Sequence, residues 1–598
     1  MKNNIFIYRI ARKAFIALFI SSLVGCRPDL LDTTPYDQVA TGNMWTTANL
    51  TEQGMNAIYN VLKYGEIGNN FFQYDEYGSI AQNRNLSDLC GKALTPSASL
   101  YQKLWQDCYE GISRTNDAIA NIPAKSPISE ELKARYIAEA KFFRAYLYYR
   151  LNELFHGVPV YLEPTEAEAY NKGQESEEKV WEIILQDLSD CINTPELPDR
   201  YESTNANHGR VTKSCAYTLR GKVYLYLRQY EKAIADFEAV GNCGHTLFAG
   251  SYQDLFTETN ERCPEMIFTV ECSQEAKQGN NMQMWFGSRS CSLGGGYLTC
   301  SATPEFVDSY ENADGSKFNW DDVIPGYNSM DPKARIVYFF RDQMTQSDKN
   351  TWIKEGADMD KYLSDGNEAR IMQAFENRDP RMQMTLITPY KTFFGAVQTE
   401  EHTFTFRIPF ITGNDKKAPW DLFYPTMSNK QYYYPFRKFV MTGNSLLDRG
   451  YAPINTILFR YADVLLMQAE AWNEQADSQE NRAKAIDLVN KVRERAGVVP
   501  LTLEDVSKPT YVSGQADLRE RIRNERRWEL AGEGHSFFDE LRWKIWKEKK
   551  FDTGGAKTVS GKIVNPYMYP GDYYYTWPAP AVECQRNSNL NETPGWIY

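Results

Sequence analysis

The chain has 598 residues, 42 % of them hydrophobic, and a formal net charge of −12. That acidity excludes nucleic acid as a partner, because a polyanion-binding surface needs a basic stripe that displaces phosphate counterions. The length permits a large buried core and does not by itself decide between one domain and several.

At the N-terminus, Lys2, Arg9, Arg12 and Lys13 precede an apolar stretch from Ala14 to Val24 that is too short to cross a bilayer. This order reads as a secretory signal over residues 1–25. The segment Leu23-Val24-Gly25-Cys26 sets a small residue before a cysteine, as in a bacterial lipobox, so the Cys26 thiol is expected to carry diacylglycerol. Acyl chains contributing about 0.8 kcal/mol per buried methylene would then tether a body that has no spanning helix of its own. Residues 27–38 form the leader between lipid and fold.

Beyond the leader, Phe72, Tyr74, Asp75, Tyr77 and Arg84 fall outside any helical period and read as a loop. A first long amphipathic helix follows from Tyr101 to Ile122, with Leu104, Trp105, Cys108, Ile112, Ala118 and Ile119 on one face and Pro123 as its stop. A second runs from Ser129 to His156, where Ala138, Ala140 and Ala145 allow a neighbour to approach closely. From Val211 to Val240 the pattern is a helix, a break near 228–230 and another helix, the plan of a tetratricopeptide unit. The same plan returns from Ile457 to Ala496. Such hairpins bury their faces only by stacking, so a helical repeat body is expected over about 45–240 and 452–598.

The region between them, about 241–451, is rich in Gly, Pro, Asn, Asp and aromatics, with β-prone pieces at Met266 to Val270 and Thr403 to Ile408. It reads as loops and short strands laid on the helical body, the texture in which ligands are usually met. Trp285, Tyr297 and Trp320 lie there outside regular periodicity, whereas Trp105, Trp181, Trp472, Trp528 and Trp543 sit at helical positions and are assigned to the core.

Motifs of catalysis are missing. There is no GxSxG elbow, no GxxxxGK[ST] loop and no HExxH pair, and His156, His208, His245, His402 and His535 are scattered. Gly294-Gly295-Gly296 supplies turn freedom rather than a dinucleotide fingerprint. Asn312, Asp314, Asp321 and Asp322 around Gly315 lack the alternating ligand spacing of a calcium loop and read as a polar turn. The 11 cysteines show no metal-type spacing, and those other than Cys26 read as small buried hydrophobes, with Cys291–Cys300 pairing as the open alternative. No metal site, no cofactor and no enzymatic activity are expected, although 78 acidic residues supply glycosidase-like pairs by chance.

The C-terminal run Phe459-Arg460-Tyr461-Ala462-Asp463-Val464-Leu465-Leu466-Met467-Gln468-Ala469-Glu470-Ala471 resembles the signature of the SusD/RagB family. So do Asn490-Lys491-Val492-Arg493-Glu494-Arg495-Ala496-Gly497, Asn524-Glu525-Arg526-Arg527-Trp528-Glu529-Leu530-Ala531-Gly532-Glu533-Gly534-His535, Asp379-Pro380-Arg381 and the tail Pro594-Gly595-Trp596. Read on their own chemistry, Arg523, Arg526 and Arg527 with Glu525, Glu529 and Glu533 are spaced for ion pairs within a helix and belong to the scaffold.

The resemblance implies a mainly α, SusD-like fold and a single such domain over 26–598. It also implies a lipoprotein of the outer membrane, facing the exterior, that captures an oligosaccharide or polysaccharide and delivers it to a SusC-like TonB-dependent transporter. Family members bind glycans on loops in the regions of Phe72 to Arg84 and Trp285 to Trp320, which makes those eight residues the candidate contacts. Peptide uptake within the family, or a protein-binding scaffold without a ligand pocket, are the alternatives.

Overall fold

Helical periodicity becomes a row of antiparallel helices in the computed structural model, which describes residues 44–85 and 87–598. The signal, Cys26 and the leader lie outside the described residues. After α1 (Ala48–Tyr59), the row runs α2 (Ser99–Lys125), α3 (Glu130–Phe155), α4 (Glu177–Asn193), α5 (Lys213–Tyr226) and α6 (Tyr230–Asn242). It continues with α7 (Tyr461–Gln475) and α8 (Gln479–Arg495), and each member from α2 onward packs on the next. Helix α9 (Gln515–Glu529) lies across α7 and α8. The fold is mainly helical, with stacked hairpins of the tetratricopeptide kind.

Pro123 does not end α2, which runs on to Lys125. At the head of α3, Ser129 accepts a hydrogen bond from the Leu132 amide, and His156 closes its end in the left-handed region at φ 52°. From Phe142 to Phe155 every side chain of α3 is buried, so this is the central helix, enclosed on all sides rather than amphipathic. Polar groups so enclosed need partners: Arg144 grips Asp187 of α4 through two bonds of 2.8 and 2.7 Å and donates to Asn116 of α2.

Residues 243–460 are inserted between α6 and α7, and a two-stranded ladder ties the ends of this insertion together. Strand β2 (Met266–Val270) pairs antiparallel with β4 (Thr456–Arg460), from Met266 opposite Arg460 to Val270 opposite Thr456. The helix expected from Ile457 therefore begins only at Tyr461. All five residues of β4 are buried, and a short apolar run of this kind carries no period that separates strand from helix. The insertion is more than loops laid on the body. It holds short helices such as Gln346–Lys354 and a hydrophobic core of its own built on Phe286, Phe306, Tyr310, Trp320, Phe339 and Tyr434. Strand β1 (Ala81–Asn83) joins this core by pairing antiparallel with β3 (Cys300–Ala302). Further on, the last residues fold back so that Trp596 stacks on Tyr574.

A buried ionic cluster joins the insertion to the helical body. Arg460 meets Glu265, Glu529 and Glu533, Arg381 meets Asp379, Glu525 and Glu529, and Arg493 meets Glu311 and Glu525. The scaffold charges expected to pair within one helix thus pair across the chain instead. Arg526 turns to Asp463 and Asp539, while Arg523 keeps a local partner in Glu520 and Arg527 donates to Asn524. Cys291 and Cys300 are both free and buried, and the Asn312 to Ser316 segment is a polar turn in which Asp314 accepts from Ser316.

Glu540 is enclosed in the same interior, accepting from the Ser79 amide at 3.0 Å, and burial pushes its carboxyl up from 4.5 to about 7. A raised folded-state pKa means that the folded chain holds this proton more tightly than the unfolded one. The group therefore costs stability progressively as pH rises from about 4.5 to about 7. Glu540→Gln has no such titration. Its melting temperature relative to wild type is expected to climb across that window in thermal denaturation at a series of pH values, and a constant difference would contradict the assignment.

Candidate functional site

The segment carrying Phe72, Tyr74 and Asp75 coils as a 3₁₀ helix, Phe71–Glu76, beneath the turn that follows α9. Phe72 stands edge-on to Phe286 at 5.1 Å, and Tyr74 packs on Phe538 at 4.8 Å with the Arg150 guanidinium over its ring. Asp75 accepts from the amides of Gly532, Gly534 and Ser536. Trp320 stacks on Tyr327 at 4.3 Å and donates to Asp308 at 3.0 Å. These four side chains are buried and offer no face to a ligand: a break in helical period here marks tight local coiling, not exposure. Tyr77 is half-buried, set edge-on to Tyr74 and Phe537. Of the tryptophans assigned to the core, Trp105, Trp181 and Trp528 are there, while Trp472 and Trp543 are half-exposed.

Arg84, Trp285 and Tyr297 are brought together. Trp285 lies on the short helix Met282–Phe286, whose carbonyl oxygens receive the returning chain: Met284 accepts from the Tyr297 amide and Trp285 from the Thr299 amide, both at 2.8 Å. Thr299 in turn accepts from the Arg84 amide at 3.0 Å, continuing the β1–β3 ladder by one residue. The turn that permits this return is glycine-rich because it is crowded. A Cβ on Gly296 would collide with the Gly287 carbonyl, and Gly295 holds φ at 59°.

Tyr297 is 40 % exposed, and its ring is covered on one side by Arg449, 4.4 Å from the centroid. Arg449 also donates to the Tyr297 hydroxyl at 3.1 Å and to the Gly294 carbonyl at 3.0 Å. Arg289 is exposed and lies over the Phe423 ring at 5.1 Å. Arg84 is half-buried; desolvation lowers its pKa, and the charge of Arg289 lowers it further. Arg289, Phe423 and Arg449 were not marked by any sequence signal, since each arrives from a segment remote in the chain or lacks a pattern of its own. An aromatic ring at the surface suits the C–H face of a sugar, and guanidinium groups beside it suit oxygen acceptors.

Other concavities are present. A cleft of about 690 Å³ opens between α5, α7 and α9, lined by Tyr230, Glu474, Arg519, Arg523 and Trp543. Its charges are largely paired across it, Arg519 with Glu474 and Arg542 with Glu470. Among the described residues no cluster of three or more His, Cys, Asp or Glu has the arrangement to hold a metal ion, and no helix is long and apolar enough to cross a membrane.

The chain is 24 % identical over 96 % of its length, and 96 % of the relative's, to SusD-like protein P25 of Formosa agariphila. Two solved structures share the fold. A SusD-like carbohydrate binding protein from Bacteroides fragilis aligns with a TM-score of 0.69 at 22 % identity, over 92 % of this chain and 100 % of that one. A laminarin binding SusD-like protein aligns with a TM-score of 0.61 at 21 % identity, again over 92 % and 100 %. Residues 29–225 match a family model described as starch-binding associating with outer membrane. Residues 264–596, more than half of the 598, match the model of the SusD family and contain the buried ionic cluster from Glu265 to Asp539; the chain belongs to the SusD family.

Proposed function

We propose that this protein is a glycan-binding lipoprotein, held at the outer membrane through Cys26, that captures oligosaccharides and delivers them to a SusC-like TonB-dependent transporter. The observation that carries the binding role is the strip in which backbone bonds bring Arg84, half-buried Trp285 and exposed Tyr297 together, with the Arg449 guanidinium over the Tyr297 ring. Family membership, and relatives described as carbohydrate binding and laminarin binding, support the same reading. The description of the matching N-terminal model supports the membrane location. A rigid helical body on a tethered leader suits a lid that closes over its cargo, provided the ligand contact is better made when closed. The exposure of Tyr297, with Trp285 half-buried beside it, favours a ligand-binding protein over a scaffold that only grips another protein. Relatives described as carbohydrate binding and laminarin binding support a reading of binding without turnover.

Isothermal titration of the lipid-free domain, beginning after Cys26, against plant, microbial and host oligosaccharides tests the proposal. A saturable response is expected, weakened about tenfold or more by Trp285→Ala or Tyr297→Ala, the loss of roughly 1.4 kcal/mol of aromatic contact. Silence across the panel by folded protein, or affinity untouched in both variants, would overturn it.

A further inference from the structure

The geometry points to an acidic oligosaccharide, one bearing a carboxylate or a sulfate ester, as the ligand of the Arg84 face. This rests on the reading of that face as saccharide-binding and narrows its substrate class. Arg84, Arg289 and Arg449 gather on the segment 287–299. Arg84 is tied to Thr299 by its amide, the Arg289 backbone lies against Gly295, where a Cβ would stand 3.4 Å from its Cα, and Arg449 binds Gly294 and the Tyr297 hydroxyl.

Among the described residues, none of the three guanidinium groups has a carboxylate in ion-pair range. Arg84 Nε is buried and donates to nothing among the described residues. Of the other enclosed arginines, Arg381, Arg460, Arg493 and Arg495 each meet two or more carboxylates, whereas buried Arg378 is held by the backbone carbonyls of Ala374, Val307 and Tyr310. With 78 acidic against 66 basic residues, the shortage at this face is local rather than compositional. Two acids of neighbouring segments are engaged with backbone instead, Asp448 accepting from the Gly450 amide and Glu401 from the Asn444 amide, both at 2.9 Å.

Like charges held close in a partly desolvated place repel; desolvation is the main cause of the lowered Arg84 pKa, Tyr433 opposes it, and the charge of Arg289 adds a smaller lowering. A neutral sugar would accept hydrogen bonds there but leave the repulsion in place. A planar carboxylate or a sulfate accepts from guanidinium forks and neutralises them at once. Trp285 and Tyr297 then supply the apolar contact that any sugar ring uses, while the arginines select the charged ones.

The test compares three probes of similar length on the lipid-free domain: an oligogalacturonate, a sulfated carrageenan oligosaccharide and a neutral laminari-oligosaccharide. At low ionic strength one acidic probe is expected to bind about tenfold or more tightly than the neutral one, with the advantage shrinking as salt is added. Which acidic probe wins separates carboxylate from sulfate. Arg289→Ala, at an exposed position, and Arg84→Gln, checked for folding by its melting curve, should each remove most of that advantage. A neutral probe that binds as tightly as both acidic ones, with the arginine variants unchanged, would sink the acidic class and leave glycan capture standing. Failure of all three probes on folded protein would remove both.

Discussion

Glu529→Ala is expected to yield little or no folded protein, or to lower stability by about 3–5 kcal/mol where it folds, because it strands buried guanidinium groups. Its side chain is fully buried and its carboxylate meets Arg381 at 3.1 Å, Arg460 at 2.7 Å and Arg495. Its backbone oxygen accepts from the Tyr252 hydroxyl at 2.6 Å and from Arg460 at 2.8 Å. Those arginines hold the carboxyl well below the usual carboxylate range despite its burial. Removing it leaves three guanidinium groups facing one another in a low dielectric with one counter-charge fewer. Chemical denaturation measures the loss. A comparison variant, Glu520→Ala, breaks a surface pair with Arg523 and should change stability by less than about 1 kcal/mol. Equal behaviour of the two variants would contradict the account. The sign of the pH dependence follows from the lowered carboxyls: Glu529, Glu533 and Asp463 contribute stability above their unfolded values and lose it as pH falls through and below about 4. This slope runs opposite to that of Glu540.

The same cluster explains which parts of the fold were legible. Arg460, Asp463, Arg493, Arg495, Glu525, Glu529, Glu533 and Arg381 all lie in the segments whose sequence resembles the family, and all converge on one interior. Charged residues on otherwise apolar helices mark themselves as special, but spacing alone suggested partners three or four residues away. The actual partners Glu265 and Glu311 come from the insertion and leave no local trace. Helices α2, α3, α5, α6, α7 and α8 were visible in their period. Helix α4 carried an equally good one in Val180, Ile184, Leu188 and Cys191, capped by Ser176, and its signal was there to be read. Arg84, Trp285 and Tyr297 were candidates because they interrupt regular pattern, and the backbone brings their segments together. Phe72, Tyr74, Asp75 and Trp320 interrupt it too, yet are enclosed, since only tertiary packing decides which interruptions reach solvent.

Asp75 sharpens that distinction into an expected result. Asp75→Asn should cost about 3 kcal/mol or more of stability while leaving the glycan affinity of the folded fraction unchanged. One carboxylate oxygen accepts from the amides of Gly532 at 2.8 Å and Gly534 at 3.2 Å, and the other from the amide and hydroxyl of Ser536. An asparagine keeps one acceptor and turns an NH₂ toward donors that are fully enclosed. The turn has no freedom to find water instead. Gly532 and Gly534 both hold φ at 81°, and a Cβ on Gly534 would strike the Phe71 backbone. Burial raises the Asp75 carboxyl to about 6 even with these donors around it, so the site is costly to keep ionised and is held by the amides that need it. Denaturation of the variant beside titration of its folded form separates the two roles. A stable variant with lost affinity would make Asp75 a ligand contact after all, whereas a destabilised variant of normal affinity makes it the clamp that seats the 3₁₀ helix against the end of α9. Because that helix leads into β1 and Arg84, the clamp also fixes where the proposed binding strip begins.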